Sequence, residues 1–246
     1  MIASERKKYI LGKLNANGIV NVRETAQELN LHETTIRRDL EKLEKEGRLT
    51  RIYGGATLND DSVELTMTQK LFLNFEAKKE VCRCACELVH DGDCIFIDGG
   101  TTTYSMIDFL ASKKIQIVTH SDLIIRRIKK CEAQIITIGG KYLPHYNMSV
   151  GATAMNEVGA YHYDHCFLGC VGINAQDLIS YTSEAETLDV KRTAMENSDH
   201  AYLLIDASKW NVKGFCKFAH LDEFDKVFCN AFDDYDGRIA NLELVK

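Results

Sequence analysis

The sequence predicts an α/β domain with a mostly parallel sheet, preceded by a small helical domain. Beyond residue 76, strand-like and helix-like segments alternate, as they do when helices connect parallel strands. Before residue 57, apolar residues recur at helical spacing. The two parts also differ in charge, since residues 1–56 hold 11 Lys and Arg against 8 Asp and Glu, whereas the remainder holds 19 against 28. We therefore expect a domain at 1–57, a linker at 58–75 and a second domain at 76–246.

Composition excludes several classes of protein. The 246 residues are 45% hydrophobic and 27% charged, which is ordinary for a globular protein. The longest apolar runs fall far short of the roughly 20 residues that a membrane span requires, and the first residues lack the apolar core of a signal peptide. We therefore predict a cytosolic protein without membrane contact, whose nine cysteines are reduced thiols.

The first domain is predicted to contain three short helices and a hairpin. The first helix has apolar residues at 10–14, and Asn21 with Glu24 has the capping-box form that starts a second helix. The third helix has one apolar face, formed by Ile36, Leu40 and Leu43. It ends at Gly47, and alternating residues around the glycine pair 54–55 predict a short hairpin. This order of elements is that of a winged helix-turn-helix.

The polar face of the third helix is suited to contacting DNA. Its hydroxyl and cationic groups lie off the apolar face and can reach phosphates or base edges. They belong to Thr34, Thr35, Arg37, Arg38 and Lys42. Arg48 and Arg51 add two cations on the hairpin, where they can contact phosphate or the minor groove. We predict a reader of double-stranded DNA; the alternative is a helical interaction domain with a solvated basic face.

The second domain has the element order of a parallel sheet. Strands are predicted at 94–98, 115–119, 134–138, 165–168, 201–205 and 226–229. Helices are predicted at 76–90, 104–111, 122–130, 151–158 and 184–197. The first strand runs directly into Asp-Gly-Gly-Thr-Thr-Thr, a segment that can cradle an anion with backbone, hydroxyl groups and a helix start. The residues predicted to bind there are Asp98, Gly99, Gly100, Thr101, Thr102 and Thr103.

Polar or glycine residues also follow other strands. Ligands of open α/β sheets collect outside the carboxyl ends of the strands, so these residues favour one shared pocket. They are His120, Ser121, Gly140 and Gly172. Farther along, Glu186 can hold sugar hydroxyls, whereas Lys191 and Lys209 can hold phosphate as point charges. The alternative for any single glycine is that it merely ends a strand, and for any single charge that it is solvated.

Two motifs of the first domain closely resemble the DNA-binding head of the DeoR family of bacterial transcriptional regulators. They are Thr-Ile-Arg-Arg-Asp-Leu at 35–40 and Gly-Gly-Ala at 54–56. The resemblance covers nearly the whole chain, and it implies an effector domain similar in fold to ribose-5-phosphate isomerase and coenzyme A transferases. It further implies that the pocket residues surround a phosphorylated sugar, and that a homo-oligomer, a dimer or tetramer, binds operator DNA.

The resemblance implies a repressor of a carbohydrate-metabolism operon whose operator affinity falls when the sugar binds; an activator would have the same sequence features. Two residues depart from the family pattern. His32 replaces a serine that could cap the third helix or contact phosphate. His120 replaces an asparagine, and its titratable ring can alter the choice of effector or make binding depend on pH.

We predict no catalytic residue, no metal and no cofactor. Cys82 and Cys86 lie four residues apart on one helix face, away from Cys84, which is typical of buried small side chains rather than metal ligands. Two alternatives remain open. One is a sugar-phosphate isomerase-like enzyme, with Asp98, Glu186 and Lys209 as acid–base candidates; the other is a thiol- or metal-responsive regulator.

Overall fold

The computed structural model of the chain divides into two compact units, Met1–Phe75 and Glu76–Lys246. The structure describes residues 2–17, 19–52, 54–57, 67–128, 130–231, 237 and 239–245. Residues 58–66 of the predicted linker and Tyr53 of the predicted hairpin therefore lie outside the described residues. The predicted limits of the domains and of the linker stay predictions.

The first unit contains helices and a small antiparallel sheet. Its elements are α1 (Ala3–Asn17), β1 (Ile19–Asn21), α2 (Val22–Glu28), α3 (Glu33–Lys45), β2 (Thr50–Ile52), β3 (Gly55–Thr57) and α4 (Met67–Phe72). Strand β3 pairs with both β1 and β2, so the order of the sheet is β1-β3-β2. This confirms the predicted helix-turn-helix with a hairpin, and adds β1 as a third strand.

Local residues explain where these helices begin and end. Asn21 starts α2, because its Oδ1 accepts hydrogen bonds from the backbone N–H groups of Arg23 (2.9 Å) and Glu24 (3.2 Å). Gly47 follows α3 with a φ of +68°, a conformation that glycine adopts without steric cost. The predicted apolar face of α3 is buried in the core of this unit. Its members pack with side chains of the other elements, among them Ile10, Leu14, Val20, Ala26 and Leu49.

One ion pair fixes α3 against α1. Asp39 is buried on α3, and its two carboxylate oxygens accept hydrogen bonds from Arg6 Nε (2.6 Å) and Nη2 (3.2 Å). Such bidentate pairs fix orientation as well as distance. The acidic residue of the Thr-Ile-Arg-Arg-Asp-Leu motif therefore positions the helix, while its neighbours Arg37 and Arg38 are exposed.

The second unit is built on a seven-stranded sheet in which all pairings between described strands are parallel. Its strands are β4 (Cys94–Ile97), β5 (Gln116–Thr119), β6 (Gln134–Thr137), β9 (Tyr163–Gly169), β12 (Ser198–Ile205), β14 (Lys226–Asn230) and β15 (Leu242–Val245). Their order is β15-β14-β12-β9-β4-β5-β6. The helices are α5 (Phe75–Cys86), α6 (Ile107–Leu110), α7 (Asp122–Arg127), α8 (Ala152–Val158) and α9 (Ala185–Glu196).

Two smaller antiparallel sheets accompany the main sheet. The first is a hairpin of β7 (Lys141–Leu143) and β8 (Met148–Val150), and the second contains β10 (Gly172–Asn174), β11 (Ile179–Thr182) and β13 (Cys216–His220). Short 3-10 turns lie at Thr103–Met106, Ala207–Lys209 and Leu221–Glu223. The α/β prediction is confirmed, and all six predicted strands lie in the main sheet.

The predicted helix at 76–90 is shorter in the structure, because α5 ends at Cys86. The residues that follow make backbone bonds over three residues, such as the Val89 N–H to the Cys86 carbonyl oxygen (3.4 Å), and Lys113 Nζ also donates to the carbonyl oxygens of Cys86 (3.0 Å) and Val89. Cys82 and Cys86 are buried in the core, whereas Cys84 is partly exposed. Burial raises the pKa of the Cys82 and Cys86 thiols, which keeps them protonated at neutral pH.

No helix in the described part of the chain is long and apolar enough to cross a membrane. Among the same residues, no three His, Cys, Asp or Glu side chains are grouped so that they could hold a metal ion.

A half-buried histidine on the sheet links stability to pH. His165 on β9 stacks beside His200 on β12 with ring centroids 5.7 Å apart, and its Nε2 lies 3.4 Å from a carboxylate oxygen of Asp93. Burial lowers the pKa of His165, because the charged ring loses hydration, and Asp93 opposes this only in part. The unfolded chain therefore takes up a proton at a higher pH than the folded chain.

We expect the free energy of unfolding to decrease as the pH falls below about 6.5, because His165 is protonated in the unfolded state before it is protonated in the folded state. Urea unfolding between about pH 5.5 and 7.5 checks this, with His165→Gln losing less stability toward acid than the native protein. His162→Gln, which alters an exposed histidine, is the control and should follow the native curve. Parallel curves for native protein and His165→Gln would contradict the assignment.

Candidate functional site

The first candidate site is the exposed face of α3. Thr34, Arg37, Arg38 and Lys42 are exposed there, and Thr35 is half-exposed. His32 precedes the helix, but its side chain makes no capping hydrogen bond among the described residues; its carbonyl oxygen accepts one from the Thr35 N–H at 2.9 Å. The polar face is therefore presented to solvent, as the sequence predicts for a helix that contacts DNA.

Two of the predicted DNA-contacting arginines already have acidic partners. Arg37 Nη2 lies 3.1 Å from Glu33 one turn earlier, and Arg51 Nε on β2 lies 2.6 Å from Glu44 on α3. Both pairs are well exposed, so their contribution to stability is small and phosphate or base edges can compete for the arginines. Three other predicted cations make no ion pair with the described residues, namely Arg38, Lys42 and Arg48.

The second candidate site lies at the carboxyl end of β4, where Asp98 is buried. Its Oδ1 lies 3.2 Å from His120 Nε2, and its Oδ2 accepts hydrogen bonds from Lys191 Nζ and from the Gly169 N–H (3.0 Å). Lys191 also donates to the Gly169 carbonyl oxygen at 2.9 Å. These contacts bring together residues from the ends of three neighbouring strands and from α9, as the predicted pocket requires.

The side chains of Asp98, Lys191 and His120 form a polar cluster in which each charge affects the others. Burial alone would raise the pKa of the Asp98 carboxyl, but the Lys191 ammonium and the His120 ring outweigh it and hold that pKa well below its usual range. Asp98 is therefore ionised at neutral pH. Both oxygens of this carboxylate contact groups of the protein itself.

The geometry of His120 identifies which ring nitrogen carries a proton. Nδ1 lies 2.8 Å from the Ser149 carbonyl oxygen, which can only accept, so Nδ1 is the donor. Nε2 lies 3.1 Å from the Gly99 backbone nitrogen and 3.2 Å from Asp98 Oδ1. A neutral ring accepts from the Gly99 N–H, whereas a protonated ring donates to Asp98. The Nε2 atom of His120 therefore has a hydrogen-bonding partner whether the ring is neutral or protonated.

The threonines of the loop have different positions. Thr103 Oγ1 lies 2.7 and 2.8 Å from the carbonyl oxygens of Asp98 and Gly100, so it closes the loop on itself. Thr102 is buried, and its carbonyl oxygen accepts a hydrogen bond from the Cys82 thiol. Thr101 is partly exposed, with Oγ1 3.3 Å from the Nζ of Lys78. Of the three side chains, Thr101 is the one best placed to contact a ligand.

Sequence reasoning missed Lys78. This lysine lies on α5 and is 2% exposed, with its ammonium group directed at the loop after β4. A signal was present in the sequence, because Lys78 occurs three, four and seven residues before Val81, Cys82 and Ala85, on the apolar face of its helix. A lysine on an apolar face is unusual enough to mark a site.

Other predicted pocket residues serve local packing. Gly140 and Gly172 allow close approach, since a β-carbon there would lie 2.7 Å from the Val150 oxygen and 2.3 Å from the Val212 oxygen, respectively. Ser121 caps α7 through the Ile124 N–H. Among the described residues, none of these three bonds to the Asp98 side chain.

The remaining two predicted pocket residues, Glu186 and Lys209, do not bond to the Asp98 side chain among the described residues. Glu186 bonds to Lys141 Nζ at 2.9 Å. Lys209 lies close enough to lower the pKa of Cys170, which follows Gly169, but burial outweighs this and raises that pKa to about 11. The Cys170 thiol is therefore protonated at neutral pH and weakly nucleophilic.

A helix-turn-helix unit with cations on its third helix and an α/β unit with a buried polar site define a DNA-binding regulator with a sensor domain. The chain belongs to the DeoR family of transcriptional regulators. The family model described as the DeoR C terminal sensor domain matches residues 73–231, and that of the DeoR-like helix-turn-helix domain matches residues 6–62.

Two bacterial regulators agree with this assignment, and one solved isomerase structure matches part of the chain without bearing on it. The uncharacterized HTH-type transcriptional regulator FruR of Bacillus subtilis (strain 168) is 32% identical over 252 residues, covering 100% of both chains. The lactose phosphotransferase system repressor of Lactococcus lactis subsp. lactis is 29% identical, covering 86% of this chain and 84% of its own. The solved structure of ribose 5-phosphate isomerase A from Methanocaldococcus jannaschii covers 56% of this chain and 55% of its own, with 19% identity and a TM-score of 0.41.

Proposed function

We propose that this regulator represses a carbohydrate-metabolism operon, and that a phosphorylated sugar bound at the 98–103 loop lowers its affinity for operator DNA. The similarity to a lactose phosphotransferase system repressor supports repression of a sugar operon. The protein acts in the cytoplasm as a homo-oligomer, a dimer or tetramer, whose copies of α3 contact successive operator half-sites.

The observation that carries the effector part is the buried ammonium group of Lys78 beside Thr101. Here a hydroxyl and a cation meet at the carboxyl end of a parallel strand, next to a glycine pair that lets a ligand approach the backbone. Such a combination suits a phosphate group, with Lys78 as a point charge and Thr101 as a hydrogen-bond donor.

The geometry favours sensing over catalysis. An isomerase needs a base whose pKa lies near the operating pH. The pKa of Asp98 is held far below that range, and its oxygens are occupied by His120, Lys191 and Gly169. Asp98 is therefore a weak base that stabilises the pocket, as a binding site without turnover requires.

Thr101→Val is expected to weaken sugar-phosphate binding by about tenfold and to spare operator binding, because it removes one hydrogen bond from the cradle. The measurement is the thermal shift of the purified protein with ribose 5-phosphate, glucose 6-phosphate, fructose 6-phosphate, the unphosphorylated sugars and inorganic phosphate. A ligand at a hundredfold excess over its Kd stabilises the native protein by about 2.7 kcal/mol.

The matched control is Thr193→Val, which removes a hydroxyl whose hydrogen bond among the described residues is to the Asp189 carbonyl oxygen within α9. It should keep the native response to every compound. Equal shifts in Thr101→Val and in the native protein would remove the loop from the proposed site, and the absence of any shift with a phosphorylated sugar would contradict the proposal.

A further inference from the structure

The β7–β8 hairpin, residues 141–150, lies directly against the cradle. Its inner strand is bonded to the loop after β5, since the Ser149 N–H donates to the His120 carbonyl oxygen (2.9 Å) and the Ser149 carbonyl oxygen accepts from the His120 ring (2.8 Å). Met148 lies against Gly99, because a β-carbon on that glycine would be only 2.8 Å from Met148 Cε. The hairpin therefore borders the space beside the 98–103 loop.

The other side of the hairpin is attached to the start of α9. Lys141 Nζ lies 2.9 and 3.2 Å from the two carboxylate oxygens of Glu186, and Tyr146 Oη lies 3.2 Å from Glu184 Oε1. The same helix carries Lys191 to Asp98. The hairpin thus connects two elements, the loop after β5 and α9, that each contact Asp98 directly.

The two sides of this region differ in the burial of their charges. On the loop side, the ammonium groups of Lys78 and Lys191 are buried. On the hairpin side, the carboxylates of Glu184 and Glu186 are exposed or partly exposed, and Lys141 bonds to the second of them. Buried cations attract phosphate, whereas sugar hydroxyls donate hydrogen bonds to carboxylates. A ligand with one anionic end and one hydroxyl-rich end suits this arrangement.

We propose that the β7–β8 hairpin, with Glu184 and Glu186, reads the hydroxyl groups of the effector and thereby decides which phosphorylated sugar is sensed. The 98–103 loop holds the phosphate end that all such compounds share. Tyr146 and Lys141 fix the two carboxylates and offer their own polar groups to the same hydroxyls. The inference rests on the proposed function, since it assigns the hydroxyl-reading part of the same site.

The test compares Tyr146→Phe and Lys141→Met with native protein in thermal-shift titrations of inorganic phosphate, ribose 5-phosphate, glucose 6-phosphate and fructose 6-phosphate. Each variant should change the affinity ratio between the sugar phosphates by about tenfold and leave the affinity for inorganic phosphate unchanged. The control is Tyr142→Phe on the same hairpin, which should keep the native ranking, because among the described residues its hydroxyl bonds to Asp122 (3.0 Å) and Asn147 (3.4 Å) rather than to α9.

The possible outcomes separate the two claims. If the native protein binds a sugar phosphate and both variants keep its ranking, the hairpin does not read the sugar and the proposed function still stands. If a variant loses inorganic phosphate together with every sugar phosphate, the hairpin only supports the fold and the inference is overturned. If native protein is stabilised by none of the four compounds, the proposed function fails and this inference fails with it.

Discussion

Replacing Asp98 by alanine is expected to lower the free energy of unfolding of the second unit by about 3 to 5 kcal/mol, the usual cost of breaking a buried ion pair. The variant leaves the Lys191 ammonium, 5% exposed, without its carboxylate, and it removes the acceptor of the Gly169 N–H. Urea unfolding monitored by circular dichroism measures this loss.

A double variant distinguishes charge from packing. Asp98→Asn combined with Lys191→Met removes both charges and keeps similar volumes, so it should recover most of the stability that Asp98→Ala loses. Lys191→Met alone should be strongly destabilised, because it leaves the carboxylate buried beside the Gly169 N–H and the His120 ring. A double variant as unstable as Asp98→Ala would show that the cluster is not held by its ion pair.

Arg37→Ala is expected to weaken operator binding by about five- to 150-fold, the range for an arginine that reads a base. The side chain is exposed on α3 and, among the described residues, is paired with Glu33, an exposed partner that DNA can displace. Fluorescence anisotropy with a labelled operator, selected by the protein from random DNA, gives the Kd. Affinity for the sugar phosphate should not change.

Lys45→Ala is the matched control for Arg37→Ala. Lys45 lies on the same helix and is also paired with an acidic residue one turn earlier, Glu41, but it is not among the predicted DNA contacts. It should retain native operator affinity within about twofold, apart from the general salt-dependent term. Equal losses in the two variants would mean that α3 contributes only nonspecific charge.

The sequence was most informative where one physical signal dominates. Buried parallel strands are short apolar runs, so all six predicted strands lie in the main sheet. The four residues of β15 and the small antiparallel strands carry weaker patterns, because they mix polar with apolar residues. The end of α5 differs from the prediction, because the residues after Cys86 make backbone bonds over three residues and the distant Lys113 side chain adds a bond to the Cys86 carbonyl oxygen.

Part of the candidate site was predictable, because some of its residues belong to a local sequence pattern. The glycine and threonine loop after β4 is a local signal, and Asp98 and His120 do follow neighbouring strands. That these residues bind an effector stays a prediction. Pairs such as Lys141 with Glu186 join residues 45 positions apart, so no local pattern could reveal them. Arg6 with Asp39 is a similar case in the first unit. The structure also gives Gly172 a packing role that its position after a strand could not indicate.

The most direct test of the account is operator affinity measured with and without the sugar phosphate that stabilises the protein. Anisotropy titrations at fixed salt should show the operator Kd rising about five- to 150-fold at saturating sugar phosphate, as a coupling of about 1 to 3 kcal/mol requires. Thr101→Val should respond only at higher sugar-phosphate concentration, and Thr193→Val should respond like the native protein. An operator Kd that stays constant while the sugar phosphate is bound would contradict the central claim.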